Sequence, residues 1–156
     1  MKHQIIYSAL FLFALLFSSN SLLAQKLEYK DGRYYKNDML YSGRHIEYYD
    51  NGNPKIERNI KNGLDNGLMI LYYENGIKKE QRSYKEGEKD GQWINWSKDG
   101  VKVAEAFYLN DKKDGEWLIR NSEGVLLYEM HYKDGKKTGI WKMYNSRGAL
   151  IDERKY

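Results

Sequence analysis

The chain has 156 residues, no cysteine, and 26 Lys and Arg against 22 Asp and Glu. Without cysteine it can form neither a disulfide framework nor a thiolate metal site, and it has no thiol to carry a lipid. The formal charge of +4 comes from acids and bases that alternate along the chain rather than from a basic run. This pattern argues against a nucleic-acid partner.

The N-terminal segment has the parts of a secretory signal peptide. Lys2 and His3 give a basic start, residues 5–17 are almost entirely apolar, and small Ala24 offers a cleavage site. The apolar stretch is shorter than the roughly 20 residues needed to cross a membrane, which disfavours the alternative of a retained anchor. We predict a signal peptide at 1–24 and export to the periplasm, the outer envelope or the extracellular space.

The remaining chain is rich in Tyr and Gly and contains a single Pro, which is a composition typical of β-sheet proteins. Removing residues 1–24 takes away one basic residue and leaves a net charge of +3. Residues 25–42 precede any regular pattern and are predicted to form an N-terminal lead-in or cap.

Residues 43–156 repeat with a period of 24 residues. One glycine column opens five units, a second column follows it by nine residues, and Gly63, Gly87 and Gly135 form a third column in which Asp111 replaces the missing glycine. The ten glycines of the first two columns are predicted to be structural turn glycines: Gly43, Gly67, Gly91, Gly115 and Gly139, then Gly52, Gly76, Gly100, Gly124 and Gly148. A fixed period of this kind indicates a repeat architecture.

Each unit contains two β-prone runs joined by a turn such as Asn75-Gly76. Asn and Gly tolerate the positive φ of tight turns, so this arrangement is a strong hairpin signal. The predicted fold class is therefore all-β: an elongated antiparallel meander of about five tandem hairpins, with units starting at 43, 67, 91, 115 and 139.

Aromatic residues occupy fixed places in the unit. If the hairpin loop has two residues, Trp93 lies opposite Ala106 and shares a sheet face with the tyrosine column, whereas a glycine bulge would shift this register. The resulting aromatic ladder is the candidate binding surface: Trp93, Trp117, Trp141, Tyr84, Tyr108 and Tyr132. The competing interpretation is that these rings are the core of a thin sheet.

No catalytic, metal or cofactor site is predicted. His45 and His131 have no second histidine at ligand spacing, and no serine lies in a nucleophile motif. The glutamate column of Glu57, Glu105, Glu129 and Glu153 has members about 10 Å apart, too far to share one cation, so pairing with Lys or Arg is expected. We expect no enzyme activity.

The motif in GQWINWSKDGVKVAEAFYLNDKKDG and in GEWLIRNSEGVLLYEMHYKDGKKTG resembles the MORN repeat in its bacterial variant form. The resemblance covers residues 40–156. It implies a β-hairpin repeat without intrinsic chemistry, and MORN repeats are associated with protein contacts, scaffolding and phospholipid binding. It also implies the label of a YwqK-family antitoxin, which often accompanies this variant.

The expected function is that of an exported, non-catalytic interaction or scaffold module in the bacterial envelope. The expected partner is another protein. Two alternatives stay open: a toxin-neutralising antitoxin or immunity protein, and a binder of cell-wall glycan or of lipid head groups through the aromatic ladder. No nucleic acid is expected as a partner.

Overall fold

A computed structural model describes residues 27–156, and the predicted signal peptide lies outside these residues. The elements of this part are β1 (Glu28–Lys30), β2 (Arg33–Lys36), β3 (Met39–Leu40), β4 (Gly43–Tyr48), β5 (Pro54–Lys61), β6 (Leu64–Tyr72), β7 (Lys78–Lys85), β8 (Glu88–Lys89), β9 (Gly91–Trp96), β10 (Lys102–Leu109), β11 (Lys112–Lys113), β12 (Gly115–Arg120), β13 (Leu126–Lys133), β14 (Lys136–Tyr144) and β15 (Leu150–Lys155). Residues 27–156 contain no helix, and therefore none of a length and hydrophobicity that would cross a membrane.

The strands form two antiparallel sheets. β4 to β15 make a 12-stranded sheet in which neighbours in space are neighbours in sequence, and the short strands β8 and β11 pair with β7 and β10. This arrangement confirms the predicted meander of tandem hairpins. β1, β2 and β3 form a separate three-stranded sheet, which the sequence pattern did not predict.

The loop inside each unit has three residues and ends in a glycine. In the second unit Gly76 donates its amide to the carbonyl of Tyr73 at 2.9 Å, and Tyr73 donates to Ile77 at 2.8 Å. Gly76 has φ +83, and the same glycine has a φ between +80 and +88 in all five units. This is the glycine-bulge loop, the alternative that would by itself shift the strand register.

A second bulge cancels that shift. The pairing moves by one residue between Leu71 and Tyr72, so that Lys79 has no partner on the facing strand. The corresponding residue is unpaired in every unit: Lys55, Lys79, Val103, Leu127 and Ile151. Beyond the bulge the register is the one expected for a two-residue loop, with Trp93 opposite Ala106 and Trp117 opposite Met130.

Consecutive units are joined by two-residue turns with positive φ at both positions. These turns are Asn62-Gly63, Glu86-Gly87, Asn110-Asp111 and Asp134-Gly135. They account for the third glycine column, and Asp111 can replace glycine there because Asp tolerates the left-handed conformation better than most residues.

The first glycine column does not lie in turns, and that part of the turn prediction is wrong. Gly67 and Gly139 lie inside β6 and β14, whereas Gly43, Gly91 and Gly115 begin strands. All five have positive φ, from +70 to +149, which interrupts the regular strand pairing at that point. The column therefore marks a break within the sheet, where the backbones approach closely: a Cβ added to the last four of these glycines would lie 3.1 to 3.8 Å from a Cβ of the neighbouring strand.

The sheet is a single layer with little buried core. Only Ile60, Met69 and Ile94 are buried among the hydrophobic side chains of the described residues. The three-stranded sheet covers the first turn between units, since Tyr34 donates its amide to the carbonyl of Gly63 and Gly63 donates to Tyr41, both at 2.8 Å. Side-chain contacts along the two faces must therefore stabilise most of the array.

Candidate functional site

One face of the 12-stranded sheet carries an uninterrupted line of seven rings, here called the aromatic row. Its members, in spatial order, are Tyr84, Trp93, Tyr108, Trp117, Tyr132, Trp141 and Tyr156. Neighbouring ring centroids are 4.7 to 5.7 Å apart. The structure thus brings together all six residues of the predicted ladder and adds Tyr156 at its end.

The rings contact one another at an angle rather than lying flat in one plane. Their interplanar angles run from 51° to 64°. Tilted aromatic pairs at these distances contribute about 0.5 to 1.5 kcal/mol each beyond the area that they bury. The geometry therefore favours the interpretation that the row packs the thin sheet, with each tryptophan wedged between the tyrosines of two units.

Each tryptophan of the row is held in place by its indole nitrogen. Nε1 of Trp93, Trp117 and Trp141 donates to the backbone carbonyl of the residue ten positions earlier, at 3.0 to 3.2 Å. The acceptors are Ser83, Phe107 and His131. This bond crosses to the neighbouring strand beside the first glycine column. It gives the indole N–H its acceptor and fixes the orientation of the ring.

Three lysines lie against the row at the same 24-residue period. Lys113 places Nζ 4.2 Å from the centre of the Trp117 ring and 4.7 Å from that of Tyr132. Lys137 bridges Trp141 and Tyr156 at 4.4 and 4.6 Å, and Lys89 bridges Trp93 and Tyr108 at 5.2 and 5.1 Å. These are cation–π distances. This lysine column was not among the predicted site residues, although its spacing is visible in the sequence.

The row ends where the repeat changes. Met69 replaces the tryptophan in the second unit, and Asp65, at the end of the first unit, replaces the lysine. Arg58 fills the space: its guanidinium lies 4.8 Å from the Tyr34 ring and 3.8 Å from the Asp65 carboxylate. Burial raises the pKa of Asp65 above its usual value, although Arg58 opposes the shift. Here the sheet packs against the N-terminal sheet.

The opposite face, here called the reverse face, carries the glutamate column in ion pairs. Glu57 pairs with Arg44 at 2.8 Å and Glu129 with Lys142 at 3.3 Å. Glu105 pairs with both Arg120, at 2.8 Å, and Lys102, at 3.0 Å. The expected pairing of this column with Lys and Arg is confirmed for these three members.

We expect the Glu105 pairs to make stability depend on pH in acid. Burial alone would raise the pKa of Glu105, but hydrogen bonds from Lys102 and Arg120 hold the pKa below its ordinary value of 4.5. A lowered pKa in the folded state means that the stabilisation is present above pH 4.5 and is lost as the pH falls through the folded-state pKa. Glu105→Gln should therefore lower the free energy of unfolding by about 1 to 2 kcal/mol at pH 7, from the lost charged hydrogen bonds.

Urea unfolding between pH 7 and pH 3 tests this expectation, with Glu153→Gln as the control. Glu153 holds the same column position but is exposed. The difference between wild type and Glu105→Gln should shrink below pH 4.5, while Glu153→Gln should stay close to wild type throughout. A constant difference across the whole pH range would contradict the assignment.

His131 lies closer to carboxylates than its sequence position suggested. Cross-strand pairing places it opposite Glu116, and ligand atoms of Glu116, Glu129 and His131 lie within 4.8 Å of one another. Glu129, however, already accepts hydrogen bonds from Lys142 and from the Tyr144 hydroxyl at 3.1 Å. The cluster is therefore part of the charged surface of the reverse face.

The fold and the row together define a class: a single-layer β-hairpin repeat protein stabilised by cross-unit aromatic contacts. The model of the MORN repeat variant matches residues 41–62, 65–86 and 113–134, and these matches show that the chain carries MORN-variant repeats. A comparison with curated proteins found no match. MORN repeats are interaction modules in general, and the family is generally non-catalytic.

Proposed function

We propose that this chain is an exported, non-catalytic module that binds another protein in the bacterial envelope. The repeat supports an interaction role, and the N-terminal segment supports export. The motif itself consists of glycine and aromatic positions that serve the fold, which supports a role without catalysis.

The observation that carries the proposal is an exposed apolar strip on the face of the aromatic row. Ile119 and Tyr128 are paired across β12 and β13 and are 38% and 37% exposed. Met130 and Met143 flank them on the same face. Contiguous exposed apolar side chains mark interaction sites, and Met and aromatic residues are enriched in protein interfaces.

Binding is tested with the purified chain 25–156 as bait in envelope extracts, compared with two single variants. Ile119→Asp changes the face of the aromatic row, whereas Ile140→Asp changes the reverse face at a similarly exposed isoleucine. We expect one protein to be retained stoichiometrically by wild type and by Ile140→Asp and to be lost with Ile119→Asp. If the retained partner is a toxic exported protein, the function of this chain is that of an immunity protein.

The proposal fails if no protein is retained, or if the chain instead binds isolated peptidoglycan or protein-free liposomes. The second result would support the glycan or lipid alternative. Thermal unfolding of both variants checks that a loss of binding does not come from a loss of fold.

Export is tested separately by fusing residues 1–30 to alkaline phosphatase, which is active only where disulfides form. We expect phosphatase activity in intact cells, and none when residues 5–17 are deleted from the fusion. Equal activity of the two fusions would contradict the signal peptide.

A further inference from the structure

The two faces of the sheet differ in how their charges are balanced. On the reverse face the acids and bases form ion pairs, as for Glu105 with Arg120 and Glu129 with Lys142. On the face of the aromatic row, the side chains of the described strands β8 to β14 include Lys89, Lys113 and Lys137 but no Asp or Glu. The central part of this face therefore has three uncompensated positive charges.

Acidic side chains occur on this face only outside its central part, and there they form ion pairs. Glu80 bonds to Arg82 on β7, and Asp152 bonds to Arg154 at 3.1 Å on β15. Lys89, Lys113 and Lys137, in contrast, form no ion pair with the described residues and lie against rings, and Lys137 also donates a hydrogen bond to the Tyr156 hydroxyl at 3.4 Å. The attraction of a ring for an ammonium group is about 0.5 to 1 kcal/mol at exposed sites. A carboxylate brought close to such a lysine would gain a charged hydrogen bond, so the lysines favour an anionic partner.

Two hollows with mostly apolar linings lie along the aromatic row. The first has a volume of about 280 Å³ and is lined by Lys137, by Tyr128, Met130, Trp141 and Met143, and by the paired Asp152 and Arg154 at its edge. The second, of about 150 Å³, lies over Ala104 and Ala106, where the small side chains leave space next to Trp117. Hollows of this size accept apolar side chains, and methionine adapts its shape to what it contacts.

The same geometry disfavours cationic and sugar ligands. The ring faces that would attract a quaternary ammonium group already hold Lys89, Lys113 and Lys137. Neighbouring rings are tilted by 51° or more, so they present no flat platform on which a sugar chain could stack. The accessible features of this face are positive charges and apolar hollows.

We infer that the partner docks on this face through an acidic protein segment, with carboxylates at Lys113 and Lys137 and an apolar or aromatic side chain in the hollow between Met130 and Met143. This inference rests on the proposed function and specifies the chemistry of the partner. Carboxylates and apolar side chains that alternate along one segment would match lysines about 10 Å apart, which is the width of a two-strand unit.

The test measures the binding of a fluorescently labelled random copolymer of Glu and Tyr to the purified chain by anisotropy. The double variant Lys113→Met with Lys137→Met keeps the aliphatic stems and removes the charges, and it should weaken binding about tenfold. Its matched control is Lys112→Met with Lys136→Met, which removes the same charge from the adjacent, exposed positions of the same strands. This control should stay within about twofold of wild type.

A second double variant, Lys113→Arg with Lys137→Arg, checks that the charge of the lysines is responsible. Because arginine keeps the positive charge, this variant should bind the copolymer about as well as wild type. The inference is overturned if the copolymer does not bind, if the two methionine variants bind alike, or if a Lys and Tyr copolymer binds as well. Equal binding of polygalacturonate or of phosphatidylglycerol vesicles would also overturn it, because the surface would then be a general anion site.

The envelope pull-down separates this inference from the proposed function. A protein partner retained equally by wild type and by the Lys113→Met, Lys137→Met variant would leave the function standing and refute the acidic docking. Copolymer binding without any protein partner from the envelope would refute the function alone.

Discussion

Replacing Gly63 by alanine should lower the free energy of unfolding by about 3 kcal/mol, from the left-handed backbone and from a steric clash together. Gly63 has φ +76, which costs an L-residue about 1 to 2 kcal/mol. A Cβ at this position would also lie 3.0 Å from the Tyr34 carbonyl oxygen and 2.8 Å from a Leu40 methyl. The backbone cannot yield without breaking the bonds that join the two sheets at this turn.

Gly32 is the matched control, because it has the same φ of +76 but a Cβ added there would meet nothing within 4 Å. Gly32→Ala should therefore lower the free energy of unfolding only by the conformational contribution, about 1 kcal/mol. Urea unfolding gives both values, and amide exchange at Tyr34 should speed up in Gly63→Ala alone. Equal losses in the two variants would show that close contact with the N-terminal sheet does not restrict this position.

The second large effect is expected for Trp117→Ala, which should cost about 3 kcal/mol, near the lower end for large aromatic deletions because the ring is half-buried. The change removes ring contacts with Tyr108 and Tyr132, at 5.2 and 5.3 Å, and the cation–π contact of Lys113. It also leaves the Phe107 carbonyl without the indole donor, at present 3.1 Å away.

Two variants separate these contributions. Trp117→Phe retains a ring and loses the hydrogen bond, so it should cost about 1 kcal/mol. Trp96→Ala removes a tryptophan that lies outside the row and should cost less than Trp117→Ala. If Trp96→Ala and Trp117→Ala proved equally destabilising in urea unfolding, the row would have no special part in the stability of the array.

The sequence predicted the elements that depend on residues close together in the chain. The 24-residue period placed five hairpins in order, because each loop needs a residue such as Gly76 that accepts positive φ within a few positions of both strands. The candidate ladder also followed from the period, since equivalent positions in hairpins that repeat regularly must lie side by side. The first glycine column was misassigned because positive φ has the same sequence signal in a turn and at a break within a strand.

The register of the strands, the tilt of the rings and the positions of the lysines against them could be seen only in the tertiary structure. The second bulge at Lys79 and its equivalents restores the register, and no residue type marks it, since lysine, valine, leucine and isoleucine all occur there. The tilt of the rings, the seating of Lys113 between Trp117 and Tyr132, and the docking of the N-terminal sheet on Gly63 depend on contacts between residues 4 to 29 positions apart. The sequence by itself determined the repeat, its hairpins and the line of aromatic positions, because these rest on local backbone preferences repeated at a constant spacing. The structure decided which side chains that line leaves accessible, because accessibility depends on how neighbouring units pack against one another.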